Sequence, residues 1–261
     1  MTIKIRDMTK DDEYYVGTCT HVNENNIERE SSCPRRISWL KSMEKEGLKV
    51  KVALIDGIHA GFLYLMPIEI NPWSIHGKDL MVFPCLVSQS RFSKMGIGVK
   101  LIKAAEEEIR LQNRKGIATL GYFWDFWFMP AKYFLKLGFK IAEKRGEEAI
   151  LWKPFDQNAE PPHFRKENYE FKPIEGKVVI DLFWNRFCLT SDVEAQRVRE
   201  VVSEYGNDVI LNDFSALDQN ILKKYGIGRR IYVNGKMIET GPEIEKQELR
   251  EAIRIAKINL N

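Results

Sequence analysis

Between Leu80 and Gln112 the chain runs from an apolar stretch, LMVFPCLV, through a glycine turn, SKMGIG, into a two-faced helix. In that helix Leu101, Ile102, Ala105 and Ile109 share one side, while Lys103, Glu106, Glu107 and Arg110 lie opposite. A strand feeding such a helix through a short turn predicts helices layered on a sheet, and the neighbouring segments extend the pattern. Ile3–Ile5, Val50–Leu54, Ala60–Met66, Leu80–Val87, Ile117–Phe123, Phe139–Glu143 and Ala149–Trp152 read as strands, with a hairpin around Asp56-Gly57. Asp11–Cys19, Ile37–Glu46 and Pro130–Leu137 read as helices. The expected class is α/β (α+β), with a mixed sheet over residues 1–155.

Residues 156–177 carry three prolines and no apolar period, which predicts a linker or an arm lying over the surface. Beyond it, residues 178–261 follow a βαβ-ββα order. Strand Val178–Trp184, helix Asp192–Tyr205, strand Asp208–Asn212 and helix Ser215–Tyr225 come first. Strands Arg230–Val233 and Lys236–Glu239 then flank Asn234-Gly235, and a last helix begins near Pro242. A length of 261 residues accommodates two such domains. Forty Lys+Arg against 37 Asp+Glu leave a formal charge of +3, too balanced for a dedicated nucleic-acid binder. The longest apolar runs fall short of the roughly 20 residues that span a bilayer. The start, MTIKIRDMTKDD, has no signal-peptide core. Four cysteines without CxxC spacing imply neither zinc nor a disulfide framework, so no metal is expected and the expected setting is the reducing cytoplasm.

The turn between strand and helix carries the chemistry. Such a turn leaves backbone N–H groups pointing outward at the positive end of a helix. Gly96 and Gly98 lack side chains that would block close approach, so a pyrophosphate could sit on the main chain here, with Lys94 adding charge. The same glycines also fit the plain steric needs of a tight strand-to-helix turn. The segment lacks the GK[ST] of a Walker loop, and the third glycine of a dinucleotide fold would fall at Leu101.

With SKMGIG after the fourth strand and AKYFLKLGFK (Ala131–Lys140) after the fifth, residues 1–153 resemble the GCN5-related N-acetyltransferases. The resemblance implies a mixed-sheet acyl-CoA N-acyltransferase domain with acetyl-CoA as co-substrate. It puts the pyrophosphate on Lys94, Met95, Gly96, Ile97, Gly98 and Val99, and the pantetheine arm along Leu80–Val87. Leu86 and Val87 would polarise the acetyl carbonyl through their N–H groups. Ala131, Leu137, Gly138 and Phe139 match the family's second motif. Three positions depart from the pattern. Ser93 replaces the usual Arg or Gln, so that contact is missing or moves to Arg91 or Lys94. The frequent tyrosine acid falls at Phe134, beside Tyr133, and the frequent asparagine at Trp127. The whole chain also looks like the YoaP-type acetyltransferases, which append a small C-terminal domain. That likeness rests on SCPRRISWL (Ser32–Leu40), YLMPIEINPW (Tyr64–Trp73), the strand with Cys85 before FSKMGIG, and DLFWNRFCLTS (Asp181–Ser191).

Acetyl transfer to an amine needs a base for the incoming ammonium and an acid for the departing thiolate. Glu69, His76 and Asp79, entering the cofactor strand, are the base candidates. Glu69 stands between Ile68 and Ile70, where apolar company would raise its pKa; it reads equally as the exposed side of a strand end. Cys85 is either a buried structural thiol or an acid to the leaving CoA, and Tyr133 is a further acid candidate. The run YFWDFWF (Tyr122–Phe128) either lines an acceptor pocket, with Asp125 meeting a cationic amine, or belongs to the core. Cys33-Pro34-Arg35-Arg36 either meets an acidic part of a substrate or starts a helix. The expected acceptor is a small-molecule or peptide amine, with no nucleic-acid or membrane partner, and a homodimer stays open.

The C-terminal domain resembles the thioredoxin fold. Cys188 precedes a helix that opens with the capping box Ser191-x-x-Glu194, where the helix dipole favours a thiolate. Ser191 stands in place of a resolving cysteine and Arg229 where the resemblance places a cis-proline, which favours a binding or structural role. Two rivals to acetyl transfer remain: acyl-CoA binding without turnover, and monothiol redox or ligation through Cys188.

Overall fold

The computed structural model describes residues 2–22, 24–125, 128–238 and 243–260. In chain order its strands and helices begin with β1 (Ile3–Asp7), α1 (Glu13–Gly17), α2 (Ile27–Met43), β2 (Lys49–Ile55), β3 (Ile58–Pro67), β4 (Ile75–His76), β5 (Leu80–Val82) and β6 (Leu86–Ser88). They continue with α3 (Ile97–Leu111), β7 (Gly116–Tyr122), α4 (Ala131–Lys136), β8 (Lys140–Arg145), β9 (Glu148–Pro154) and β10 (His163–Phe164). The remainder are β11 (Val178–Trp184), α5 (Leu189–Ser203), β12 (Val209–Ser215), α6 (Gln219–Tyr225), β13 (Arg230–Val233), β14 (Lys236–Met237) and α7 (Lys246–Ile258). Two units result. One takes Met1–Asn25, Ile37–Asn71 and Ile75–Phe164; the other takes Asn26–Arg36, Pro72–Ser74 and Arg165–Asn261.

In the first unit β1, β2, β3, β5, β7, β9 and β8 lie side by side in that order, and β6 pairs with β3. Neighbours are antiparallel except β5 and β7. Ile97, Leu101, Ile102, Ala105 and Ile109 recur at the spacing of one helical face, and α3 buries them against Leu63, Leu65, Met81, Phe83 and Ile117. Asp12 is fully buried and ties β1 to β3. Its carboxylate accepts from Arg6 Nη2 at 2.9 Å, from the Thr9 N–H at 2.7 Å and from the His59 ring at 2.8 Å. Burial opposes the charge, but these donors outweigh it and hold the carboxyl well below the usual carboxylate range.

In the second unit the strand order is β12-β11-β13-β14, with β11 parallel to β12 and antiparallel to β13. β11 is buried along its whole length, as its nearly unbroken apolar sequence requires of a central strand. α5 and α7 cover one face through Val198, Val201, Leu249 and Ile253. Phe183 and Tyr232 on the other face meet Tyr225 of α6 and Tyr169. Asp181, the polar exception in β11, accepts from the Tyr169 hydroxyl at 2.7 Å and the Asn212 amide at 2.8 Å.

Several segments differ from the sequence expectation. The strand expected over Leu80–Val87 is two strands, interrupted at Phe83–Cys85, because Pro84 has no N–H for a ladder. The helix expected from Ile37 starts at Ile27, so Cys33-Pro34-Arg35-Arg36 lies inside it rather than at its start. Its early turns are fixed by distant partners: Glu28 pairs with Arg197 at 2.6 Å, and Arg35 and Ser32 both bond Asp192 at 2.6 Å. The helix expected over Asp11–Cys19 is a short 3-10 turn followed by α1. The segment 156–177 is an arm with its own contacts: Tyr169 stacks on Tyr232 at 3.9 Å, and Phe171 packs on Gly235. The last helix starts at Lys246 and the strand from Lys236 ends at Met237. Pro242 and Glu239, with which those readings began and ended, lie outside the described residues.

The Asp12 cluster predicts an acid-sensitive fold. A carboxyl depressed in the native state stabilises fully above its unfolded pKa of about 3.9 and loses that contribution as pH falls toward its native value. Asp12→Asn should cost on the order of 3 kcal/mol at neutral pH and flatten the pH dependence of urea unfolding below pH 4. An unchanged acid limb would show that another group sets it.

Candidate active site

The sheet of the first unit opens at one point. The Phe83 N–H donates to the Ala118 carbonyl at 3.1 Å, continuing the β5–β7 pairing by one residue. The Phe83 carbonyl then accepts from Thr119 Oγ1 at 2.8 Å. Past Pro84 the chain re-forms as β6, which pairs with β3 alone, while β7 continues along β9. A gap between β6 and β7 results. At Gly61 of β3 a Cβ would fall 2.5 Å from the Val87 carbonyl, so this glycine lets β6 lie close.

The register decides which backbone groups face the gap. The Tyr64 N–H donates to Cys85 and the Gln89 N–H donates to Ala60, with Phe62 opposite Val87 between them. Alternation therefore turns the N–H and C=O of Leu86 and Ser88 away from β3, toward the gap. Val87 is a correction: its N–H belongs to the β3 ladder. On the far wall Ala118 and Tyr122 direct their groups away from β9, Tyr122 bonding the Met129 carbonyl at 3.0 Å. Leu120, between them, has the same orientation.

Beyond β6 the backbone passes through a 3-10 turn at Ser90–Phe92 and reaches α3. Lys94 (φ +63°) and Gly96 (φ +75°) both adopt left-handed conformations, and no side chain caps the helix. Its first closed hydrogen bond runs from the Lys100 N–H to the Gly96 carbonyl. The N–H groups of Ile97, Gly98 and Val99 thus point out of the helix end, where the dipole favours an anion. Met95 and Val99 are half-buried, and Lys94 is exposed. A Cβ on Gly96 would meet nothing within 4 Å, so its need for glycine is conformational. Arg91 is exposed, its Nε held by Gln89 at 2.7 Å.

The base candidates stand elsewhere. Ile68–Ile70 is a single 3-10 turn rather than a strand end, and it buries Ile68 while exposing Glu69. The Glu69 carboxylate binds Arg114 at 3.0 and 3.2 Å and accepts the Asp79 N–H, so it has ionic rather than apolar company. Asp79 pairs with Lys115, and His76 sits in β4 beside His163. All three precede β5, whereas the gap begins after it. Cys85, half-buried, lies at the vertex of the gap. Phe134 is in the core with Phe83 and Phe139, and Tyr133 instead brings its hydroxyl against Gly98. Near the end of β7, Trp124 is exposed and stacks on Tyr122 at 4.9 Å, with Asp125 also exposed. Phe126 and Trp127 lie outside the described residues.

In the second unit Cys188 is the N-cap of α5, its sulfur 3.0 Å from Thr190 Oγ1. Ser191 Oγ accepts from the Asn185 N–H. Arg229 is held by Glu194 at 2.8 Å; burial works against its charge, and Cys188 and Glu194 offset that. Thr119, Ser88 and Leu120 were not singled out by the sequence, although Pro84 marks the break that brings them into play.

No protein-family description matches the chain, and no curated protein matches it either. Among solved structures, it is similar to the PaiA N-acetyltransferase of Thermoplasma acidophilum in complex with coenzyme A (16% identity, TM-score 0.42, 59% of this chain and 100% of that one). A GNAT-family acetyltransferase of Brucella melitensis in complex with acetyl-CoA gives 17% identity and a TM-score of 0.40 over 59% of this chain and 89% of that one. The ribosomal-protein-alanine N-acetyltransferase of the same organism gives 18% and 0.44 over 58% and 99%.

The vertex bond can be tested alone. Thr119→Val should leave the buried Phe83 carbonyl without its donor and lower unfolding free energy by about 1–3 kcal/mol, whereas Thr119→Ser should stay near wild type. Equal denaturation midpoints for the two variants would remove that bond from the account.

Proposed function

We propose that the first unit is an acetyl-CoA-dependent N-acetyltransferase of the GCN5-related kind, acting on a primary amine of a small molecule or peptide. The gap between β6 and β7, ending on the uncapped start of α3, is the observation that supports it most. A fitting ligand has a thin stem with amide groups and an anion at its far end. Pantetheine joined to a diphosphate has that order. In this reading Leu86 and Ser88 pair with the stem, and Ile97, Gly98 and Val99 donate to the diphosphate. Lys94 and Arg91 supply positive charge, and Met95 and Gly96 shape the approach. When bound, acetyl-CoA supplies a thioester carbonyl for attack by the amine. The chain's own part is to align that carbonyl beneath the Leu86 N–H and to offer a proton at the vertex from Cys85. Neither Glu69, His76 nor Asp79 is given a role. Asp125 and Trp124 would meet the acceptor's ammonium.

For the second unit we retain a thioredoxin-like, YoaP-type reading. The order β12-β11-β13-β14, with β13 the strand that runs against its neighbours, supports it. Four cysteines without CxxC spacing suit the cytoplasmic setting we propose. Among the described residues no helix is long and apolar enough to cross a membrane.

Release of free CoA from acetyl-CoA, followed across a panel of amines, tests the reading. Turnover with at least one amine is expected. CoA binding without turnover would leave an acyl-CoA-binding protein instead. Gly96→Glu forces a carboxylate and a strained φ into the anion seat and should weaken CoA by about 100-fold or more, roughly 2.7 kcal/mol; unchanged affinity would refute the placement.

A further inference from the structure

Gly98 has no conformational reason to be glycine. It is the second residue of α3 and is not among the positions with positive φ. In a helix, glycine is less favourable than alanine by up to about 1 kcal/mol. The reason lies across the turn. A Cβ on Gly98 would stand 2.5 Å from the Tyr133 hydroxyl oxygen, but 3.4 Å from the ring carbon that bears it and 3.5 Å from Leu86 Cδ2. The collision is therefore with one oxygen atom. The two glycines of the turn answer different demands: Gly96 permits a backbone angle, and Gly98 admits a phenol.

Both the main chain and the ring of Tyr133 have partners. The Tyr133 N–H donates to the Pro130 carbonyl at 3.0 Å, and the ring packs edge-on against the buried Phe134 at 5.2 Å. We infer that Tyr133 is a binding residue of the cofactor seat: its hydroxyl, set against the first turn of α3, donates to the same diphosphate as the Ile97, Gly98 and Val99 N–H groups. The inference rests on the function proposed above, and it takes Tyr133 away from the role of proton donor to the thiolate. Burial raises the Tyr133 pKa, so the group remains a neutral donor through the physiological range. It would add a neutral hydroxyl donor to the main-chain N–H groups of the site, beside the charges of Lys94 and Arg91, at a helix end that no side chain caps.

Calorimetric titration of Tyr133→Phe with CoA and with pantetheine, which lacks the diphosphate and nucleotide, separates the roles. The expected result is a loss of about tenfold for CoA, equivalent to roughly 1.4 kcal/mol, with pantetheine unaffected. In turnover the KM for acetyl-CoA should rise while kcat holds. Unchanged CoA affinity, or a fall in kcat with a shifted alkaline limb of the pH profile, would overturn the inference in favour of a proton donor. A second pair reads the contact without any ligand. Gly98→Ala should lower the melting temperature in the wild-type background and not in Tyr133→Phe, where the colliding oxygen is gone. Equal losses in both backgrounds would overturn the contact. If the wild-type chain binds pantetheine but not CoA, the donor role fails and the stem reading survives. If it binds neither, the proposed function fails and takes the donor role with it.

Discussion

The hydrogen bond from Thr119 Oγ1 to the Phe83 carbonyl stands where the sheet of the first unit ceases to be continuous. Two strands cannot part inside a core without leaving backbone groups unpaired, and an unpaired buried carbonyl costs about 1–3 kcal/mol. Here the chain solves the problem within two residues. The Phe83 N–H is taken by Ala118, its carbonyl by a side chain, and Pro84 has no N–H to lose. Freed from β7, the chain stays on β3 alone as β6, and Gly61 permits the close approach by having no Cβ against Val87. Everything proposed for the site follows from this departure, because it points Leu86, Ser88 and Leu120 into a common gap and starts α3 beside it.

What the sequence discloses depends on how far away each determinant lies. The buried face of α3 is legible because its period is local, and the turn before it because glycine is. Pro84 carries the signal for the broken strand, but it is masked by apolar neighbours that make Leu80–Val87 look like one strand. Glu69 shows the opposite failure. Its apolar neighbours in the chain suggest an apolar setting, yet its environment is set by Arg114, 45 positions away. The early turns of α2 have the same origin, since Arg197 and Asp192 hold them from 169 and 157 positions away. A proline in a helix interior costs about 3 kcal/mol, and no local rule would place one there.

The second unit shows the same division between local pattern and remote completion. The apolar run of β11 announces a central strand, and its single carboxylate looks like an error until the arm is in place. Tyr169 and Asn212 each give Asp181 a hydrogen bond, and Tyr169 also covers Tyr232. The prolines that mark residues 156–177 as irregular therefore do not mark them as idle. Stretches without periodicity can be ordered by contacts made one residue at a time.

The proposed recognition through the main chain would explain why bulk charge says so little about this protein. A formal charge of +3 would be a poor advertisement for a site that holds a diphosphate with lysines and arginines. A site built from the N–H groups of Ile97, Gly98 and Val99 needs no net charge, because the partial charges at a helix end act over a few ångströms. Such a site leaves its trace in the residues that set its backbone angles or clear space beside it. Gly96 and Gly98 are both such residues, and their different surroundings show that one motif can encode two constraints. The first is met by a backbone angle that few other residues adopt; the second is imposed by a tyrosine 35 positions away, and only the folded chain shows that the glycine and the tyrosine form one unit.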